Sequence, residues 1–181
     1  MVLVKMKFVL ICAGLPVVAA ALLVMRAGRE DPLATLLCIL IVTFGYIASV
    51  YDIRQKRIPN GLVLAMAGLW FVTIMPALLL NTNAVIPLLK DSALGFFVSG
   101  GMFLTIYLIS KKGLGGGDVK FIAAAGLYLG LSGSITTILC GTLLTAIIGL
   151  VLIMFKKIGR KDTIPLAPFL YVGILITLFL S

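Results

Sequence analysis

At 181 residues, 62% of them hydrophobic and only 12% charged, the chain carries more apolar surface than one water-soluble core of this size can hide. Its mean hydropathy is +1.25. Fifteen Lys and Arg against six acids give a net charge of +9, but no basic helix or aromatic-interleaved basic patch accompanies them. That excludes nucleic acid as a partner and leaves an all-α, polytopic membrane protein with basic loops.

Crossing the hydrocarbon takes about 20 apolar residues in a helix. Seven stretches roughly meet that length: 8–25, 33–53, 61–80, 91–110, 118–131, 134–155 and 163–180. They fill residues 1–181, so a single transmembrane domain with no separate soluble domain is expected. The first follows Lys5 and Lys7 and holds Ala19-Ala20-Ala21, as a secretory leader would. Its apolar run continues to Met25, and it is read as a retained span.

The second span ends in IASVYDIRQKRIPN, where Asp52 closes a continuous apolar helix and Pro59-Asn60 opens the next, with Pro59 in its first turn. After the fourth span comes KKGLGGGDVK, where Gly115, Gly116 and Gly117 precede Asp118. The fifth span is short, and Gly130 to Ser134 is expected to form a tight hairpin into the sixth. Pro165 and Pro168 open the seventh and are expected to loosen its first turn, exposing backbone to a substrate strand. Gly126 with Gly130, and Gly141, Thr145 and Gly149, have the spacing of helix-packing positions. Internal packing is their first use, and a homodimer face the second.

Lys and Arg divide unevenly between alternate loops. Twelve of the fifteen fall on the side shared by the N-terminus, Asp52 and Asp118; only Arg26, Arg29 and Lys90 fall on the other. The positive-inside rule then makes the N-terminus cytoplasmic and, with seven spans, the C-terminus external. The expected location is the cytoplasmic membrane, multi-pass, with lipid around it.

The chain has no His, which removes Ser-His and Cys-His pairs and HExxH zinc sites. Cys12, Cys38 and Cys140 sit singly in apolar runs, so neither a metal nor a cofactor is expected. Among the six acids, Glu30, Asp31, Asp91 and Asp162 are read as solvated end charges. Asp52 and Asp118 lie on the same expected membrane face. Singly, each could face interfacial water beside Arg54, Lys56 or Lys120. Brought together, two carboxylates can share a proton, one accepting a proton from water while the other polarises a carbonyl. That is hydrolysis without a covalent intermediate. The same pair could instead serve an ion- or proton-coupled transporter. The three glycines allow either a hinge or close approach of backbone to a partner.

Three motifs in order, Asp52 to Asn60 (DxxxxxIPN), Gly115 to Asp118 (GxGD) and Ile164 to Phe169 (IPLAPF), resemble those of type IV prepilin peptidases, GxGD aspartic proteases of the cytoplasmic membrane. The resemblance implies removal of a basic leader from prepilin-like proteins on the cytoplasmic side, with Asp52 and Asp118 as the catalytic pair. Lys120 stands at the GxGDxK position, and Pro59, Asn60, Pro165 and Pro168 belong to the supporting loops. Larger family members also methylate the new N-terminus and carry a four-cysteine zinc motif in a long loop. The present sequence has neither that loop nor those cysteines, and is more similar to the short peptidases of Flp/Tad-type pili and of archaeal preflagellins, for which methyl transfer is not implied. Presenilin-like proteases share YD and GxGD, which Tyr51-Asp52 and Gly115 to Asp118 supply, but place PAL last. Here Pro76-Ala77-Leu78 falls between the two aspartates, which makes that resemblance the lesser one.

Overall fold

The computed structural model describes residues 32–110, 114–156 and 164–180. They form helices α1 (Pro32–Gln55), α2 (Asn60–Leu80), α3 (Thr82–Ile109), α4 (Gly116–Met154) and α5 (Ala167–Leu180), with no strand among the described residues. The first expected span, 8–25, lies outside them, as do Glu30, Asp31, Lys111, Lys112 and Asp162.

α1 to α4 are each long and apolar enough to cross a membrane, and α5 is a shorter apolar helix of 14 residues. Their outward faces carry Phe97, Leu108, Leu139 and Leu143, all exposed. Exposed large side chains of this kind suit hydrocarbon, not water. The starts of α2, α3 and α5 reflect local causes. Pro59 is extended (φ −68°, ψ 137°) and serves as the N-cap of α2, one position earlier than the first-turn place expected for it. α3 begins nine residues before the expected 91, because Asn81 breaks the helix and its side chain accepts from the Ala84 N–H. Pro168 sits in the first turn of α5, where proline costs no helical hydrogen bond, so it does not kink the helix.

α4 has 39 residues, about 58 Å of helix, roughly twice the thickness of the hydrocarbon. It resolves into two arms at Gly130, whose φ of +65° and ψ of −171° interrupt the helix. The expected turn is therefore confirmed and sharpened, from a five-residue hairpin to a reversal at one residue. Neighbouring contacts show the reversal. The first arm runs parallel to α2, with Lys120 at Asn60 and Tyr128 at the Met66 carbonyl. The second runs antiparallel to α5, with Thr137 bonded to Thr177, Gly141 against Leu170 and Gly149 against Ile164. Asp91, expected as a solvated end charge, has a structural role instead. It is exposed, yet its carboxylate accepts from the Leu131 N–H at 3.1 Å and lies against Gly130. It caps the first turn of the second arm, where exposed N–H groups favour an anion.

The small residues singled out for packing do pack within the chain. Gly95 of α3 and Gly126 of α4 cross so closely that a Cβ on either would run into the other's backbone. Ser99 fastens the crossing by donating to the Gly95 and Ile122 carbonyls. The buried core gathers Ala48, Ile58, Phe103, Phe121, Ala167 and Leu170, so it reaches the ends of α1, α4 and α5.

Candidate active site

α1 buries Ile41, Gly45, Ala48 and Asp52, a four-three-four spacing that forms one stripe down the helix. Asp52 occupies the last position of that stripe and is only 5% exposed. The carboxylate therefore points inward with the core residues, and the interfacial-water reading does not apply to it. Its Oδ2 accepts from the Ala167 N–H at 2.9 Å. Ala167 is the first residue of α5, whose opening N–H groups have no partner within the helix and so are free to bind an anion. The IPLAPF segment thus delivers a backbone donor to Asp52. The expectation that this segment leaves its backbone free for a substrate strand is corrected at Ala167, and Pro168 is buried beside it.

Asp118 enters from α4, in its first turn after the N-cap Gly115, with its N–H donating to the Gly115 carbonyl at 3.1 Å. The residue is half-buried, and its Oδ1 is sealed from solvent without a hydrogen-bond partner. The charge of Asp52 reaches the Asp118 carboxyl. Two helices distant in sequence thus bring their carboxylates to one end of the bundle.

The three glycines have different surroundings. A Cβ on Gly115 would lie 2.8 Å from Asp118 Oδ2, inside the space the carboxylate occupies. A Cβ on Gly117 would lie 3.2 Å from Ile58 Cβ and 3.3 Å from both Ile58 N and O. Gly117 therefore allows the loop between α1 and α2 to lie directly on the start of α4. Gly116 meets only Tyr107, at 4.0 Å. We expect Gly116→Ala to keep activity within about two-fold of wild type, whereas Gly117→Leu displaces the loop and lowers it at least about ten-fold. Initial-rate assays of the two variants side by side check this; equal losses would show that the glycines act as a hinge and not as a contact surface.

Lys120 Nζ donates to Asn60 Oδ1 at 3.0 Å, a second tie between the IPN loop and the GxGD helix. Pro59 holds the extended turn that brings Asn60 there. Pro76-Ala77-Leu78 lies about 24 Å along α2 from Asn60, with Ala77 and Leu78 packed against the cluster of Leu37, Trp70 and Val85. The described residues gather no group of three His, Cys, Asp or Glu side chains. Sequence reasoning missed Ile58, the Ala167 amide and Ser49, which is buried one turn before Asp52. Only Ser49 carried a signal, since residues three apart share a helix face.

The profile of the type IV leader peptidase family matches residues 36–150, a stretch that contains both aspartates and stops short of the Ile164–Phe169 segment. Among curated proteins, the chain is 32% identical over 123 residues to a prepilin leader peptidase/N-methyltransferase of Xanthomonas campestris, covering 67% of this chain and 42% of the relative. It is 28% identical over 140 residues to one of Stutzerimonas stutzeri, covering 74% and 46%. To one of Pseudomonas putida it is 28% identical over 160 residues, covering 85% and 53%. The chain thus spans about half the length of the curated relatives it matches. No solved structure matches it.

Proposed function

The chain belongs to the type IV leader peptidase family, and on that premise we propose that it is a membrane aspartic endopeptidase that removes the basic leader of prepilin-like proteins. What supports this reading is that Asp52, buried on the α1 stripe, and Asp118, opening α4, lie at the same end of the bundle. In the proposed reaction one carboxylate takes a proton from water as the oxygen attacks the scissile carbonyl. The other, protonated, donates to the carbonyl oxygen, and collapse of the tetrahedral intermediate passes a proton to the leaving amine. Like charges at this range favour the singly protonated pair such a cycle needs. No other nucleophile is required.

The distribution of Lys and Arg supports a cytoplasmic site, where a basic leader awaits export. The partners of the proposed enzyme are its prepilin-like substrates and the surrounding lipid. The curated relatives' names join an N-methyltransferase to the peptidase; for this chain we propose the peptidase alone.

Co-expression with a prepilin tests the reading. Leader removal, read as a mobility shift on a gel, is expected with the wild-type chain and lost with Asp52→Asn or Asp118→Asn. Processing that survives either substitution removes the dyad from the mechanism. Mass spectrometry of the new N-terminus decides methylation, and an unmethylated product is expected.

A further inference from the structure

Hydroxyl groups in these helices follow one habit. Nine Ser and Thr side chains donate to the carbonyl four residues earlier, at 2.5 to 3.1 Å. Such back-bonding is the ordinary way an apolar helix satisfies a hydroxyl. Ser49 does not do this. It is 1% exposed, and its Oγ is buried with no hydrogen-bond partner, although the Gly45 carbonyl lies at the usual spacing. A buried hydroxyl left unpaired costs about 1–3 kcal/mol, so its persistence calls for an explanation in function.

Its position supplies one. Two contacts bracket Ser49 along the seam between α1 and α5: Gly45 lies against the Tyr171 ring, and Asp52 accepts from Ala167. Ser49, four residues after the first and three before the second, sits between them and shares the buried side of α1 with Asp52. Among the described residues, Asp118 Oδ1 is likewise buried without a hydrogen-bond partner. The donor that α1 leaves unused thus shares the buried side of Asp52's own helix, and the acceptor that α4 leaves unused belongs to the second carboxylate of the proposed pair.

We propose that Ser49 is a positioning residue for Asp52. Its hydroxyl donates to the Asp52 carboxylate, which the Ala167 and Leu166 backbone already touches from the start of α5, holding the carboxylate plane toward Asp118 and the attacking water while substrate is bound. Asp52 is then clamped from two helices, by a backbone amide of α5 and a side chain of its own α1. The inference rests on the dyad reading.

The test uses the full chain in proteoliposomes, a purified prepilin, and the variants Ser49→Ala, Ser49→Cys and Asp52→Asn. Trp70, the single tryptophan, is buried and reports unfolding. Ser49→Ala is expected to lower kcat roughly 10- to 100-fold, as small misplacements of a reacting group do. KM should stay within about two-fold, because the hydroxyl acts on the carboxylate and not on bound substrate. The unfolding midpoint should hold or rise, since an unpaired buried hydroxyl has been removed. Ser49→Cys, of similar shape but a weak donor, should fall between, and decides by the same criteria if Ser49→Ala does not fold. Wild-type kcat in Ser49→Ala overturns the inference, as does a loss that only follows the folded fraction. Should Asp52→Asn still cleave, the dyad reading fails and takes this one with it. Should Asp52→Asn be inactive while Ser49→Ala is unimpaired, the role of Ser49 alone falls.

Discussion

Asp52→Asn and Asp118→Asn are each expected to lower the rate of prepilin cleavage by the purified protein roughly 10²- to 10⁴-fold, and the double replacement to lower it no further. Asparagine keeps the volume and the planar shape of aspartate, so packing around the buried α1 position survives. What it removes is the titratable proton, since a carboxamide neither ionises nor accepts a proton at neutral pH. Two groups that act as one unit lose the whole function when either is lost, which is why the effects should not add. A pair of independent contributors would instead give a double variant whose loss is the product of the single losses. Steady-state rates of the three variants in one lipid preparation distinguish the cases. KM should be nearly unchanged, because neither carboxylate is asked to hold the substrate before the reaction begins. Unfolding midpoints should match or exceed wild type, since a buried carboxylate is costly to hold away from water.

Gly130→Ala should be strongly destabilising. Gly130 has φ of +65° with ψ of −171°, a backbone region that only glycine adopts without strain. A Cβ there would also overlap the Asp91 carboxylate that receives the Leu131 N–H. Strain of about 1–3 kcal/mol combines with loss of a charge-assisted hydrogen bond worth about 1.5–3 kcal/mol. A total near 3–5 kcal/mol is severe for a domain whose whole stability is of order 5–15 kcal/mol. Thermal unfolding followed by the fluorescence of Trp70 measures it. Asp91→Ala removes the hydrogen bond and leaves the backbone relaxed, so it should cost less than Gly130→Ala. If the two cost the same, the left-handed turn carries no strain. Because Gly130 lies at the opposite end of the first α4 arm from Asp118, the folded fraction of Gly130→Ala should cleave at close to the wild-type rate.

The order of the motifs was legible because it is a matter of residue identity. DxxxxxIPN, GxGD and IPLAPF stand in the chain as written, and no folding is needed to see that the second and fifth spans each carry an aspartate at one end. The inward aim of Asp52 was also present in principle, since Ile41, Gly45, Ala48 and Asp52 share the helical repeat. Its apolar surroundings hid it. In a helix that is hydrophobic on every side, periodicity marks no face, so burial has to be read from the neighbours. Asp91 was misjudged for a related reason. An exposed acid near a helix start looks solvated until its partner, Leu131, arrives from 40 residues away.

By itself, the sequence determined an all-helical membrane chain, with two carboxylates at the ends of apolar segments and glycines before the second. Those properties follow from composition and local chemistry, which act over one or two helical turns. Only the tertiary structure decided that the Ala167 amide holds Asp52, that Gly117 makes room for Ile58 while Gly116 meets only Tyr107, and that the expected turn falls on Gly130 itself. Each depends on where a helix end lies relative to another, and that position is set by packing between segments far apart in the chain.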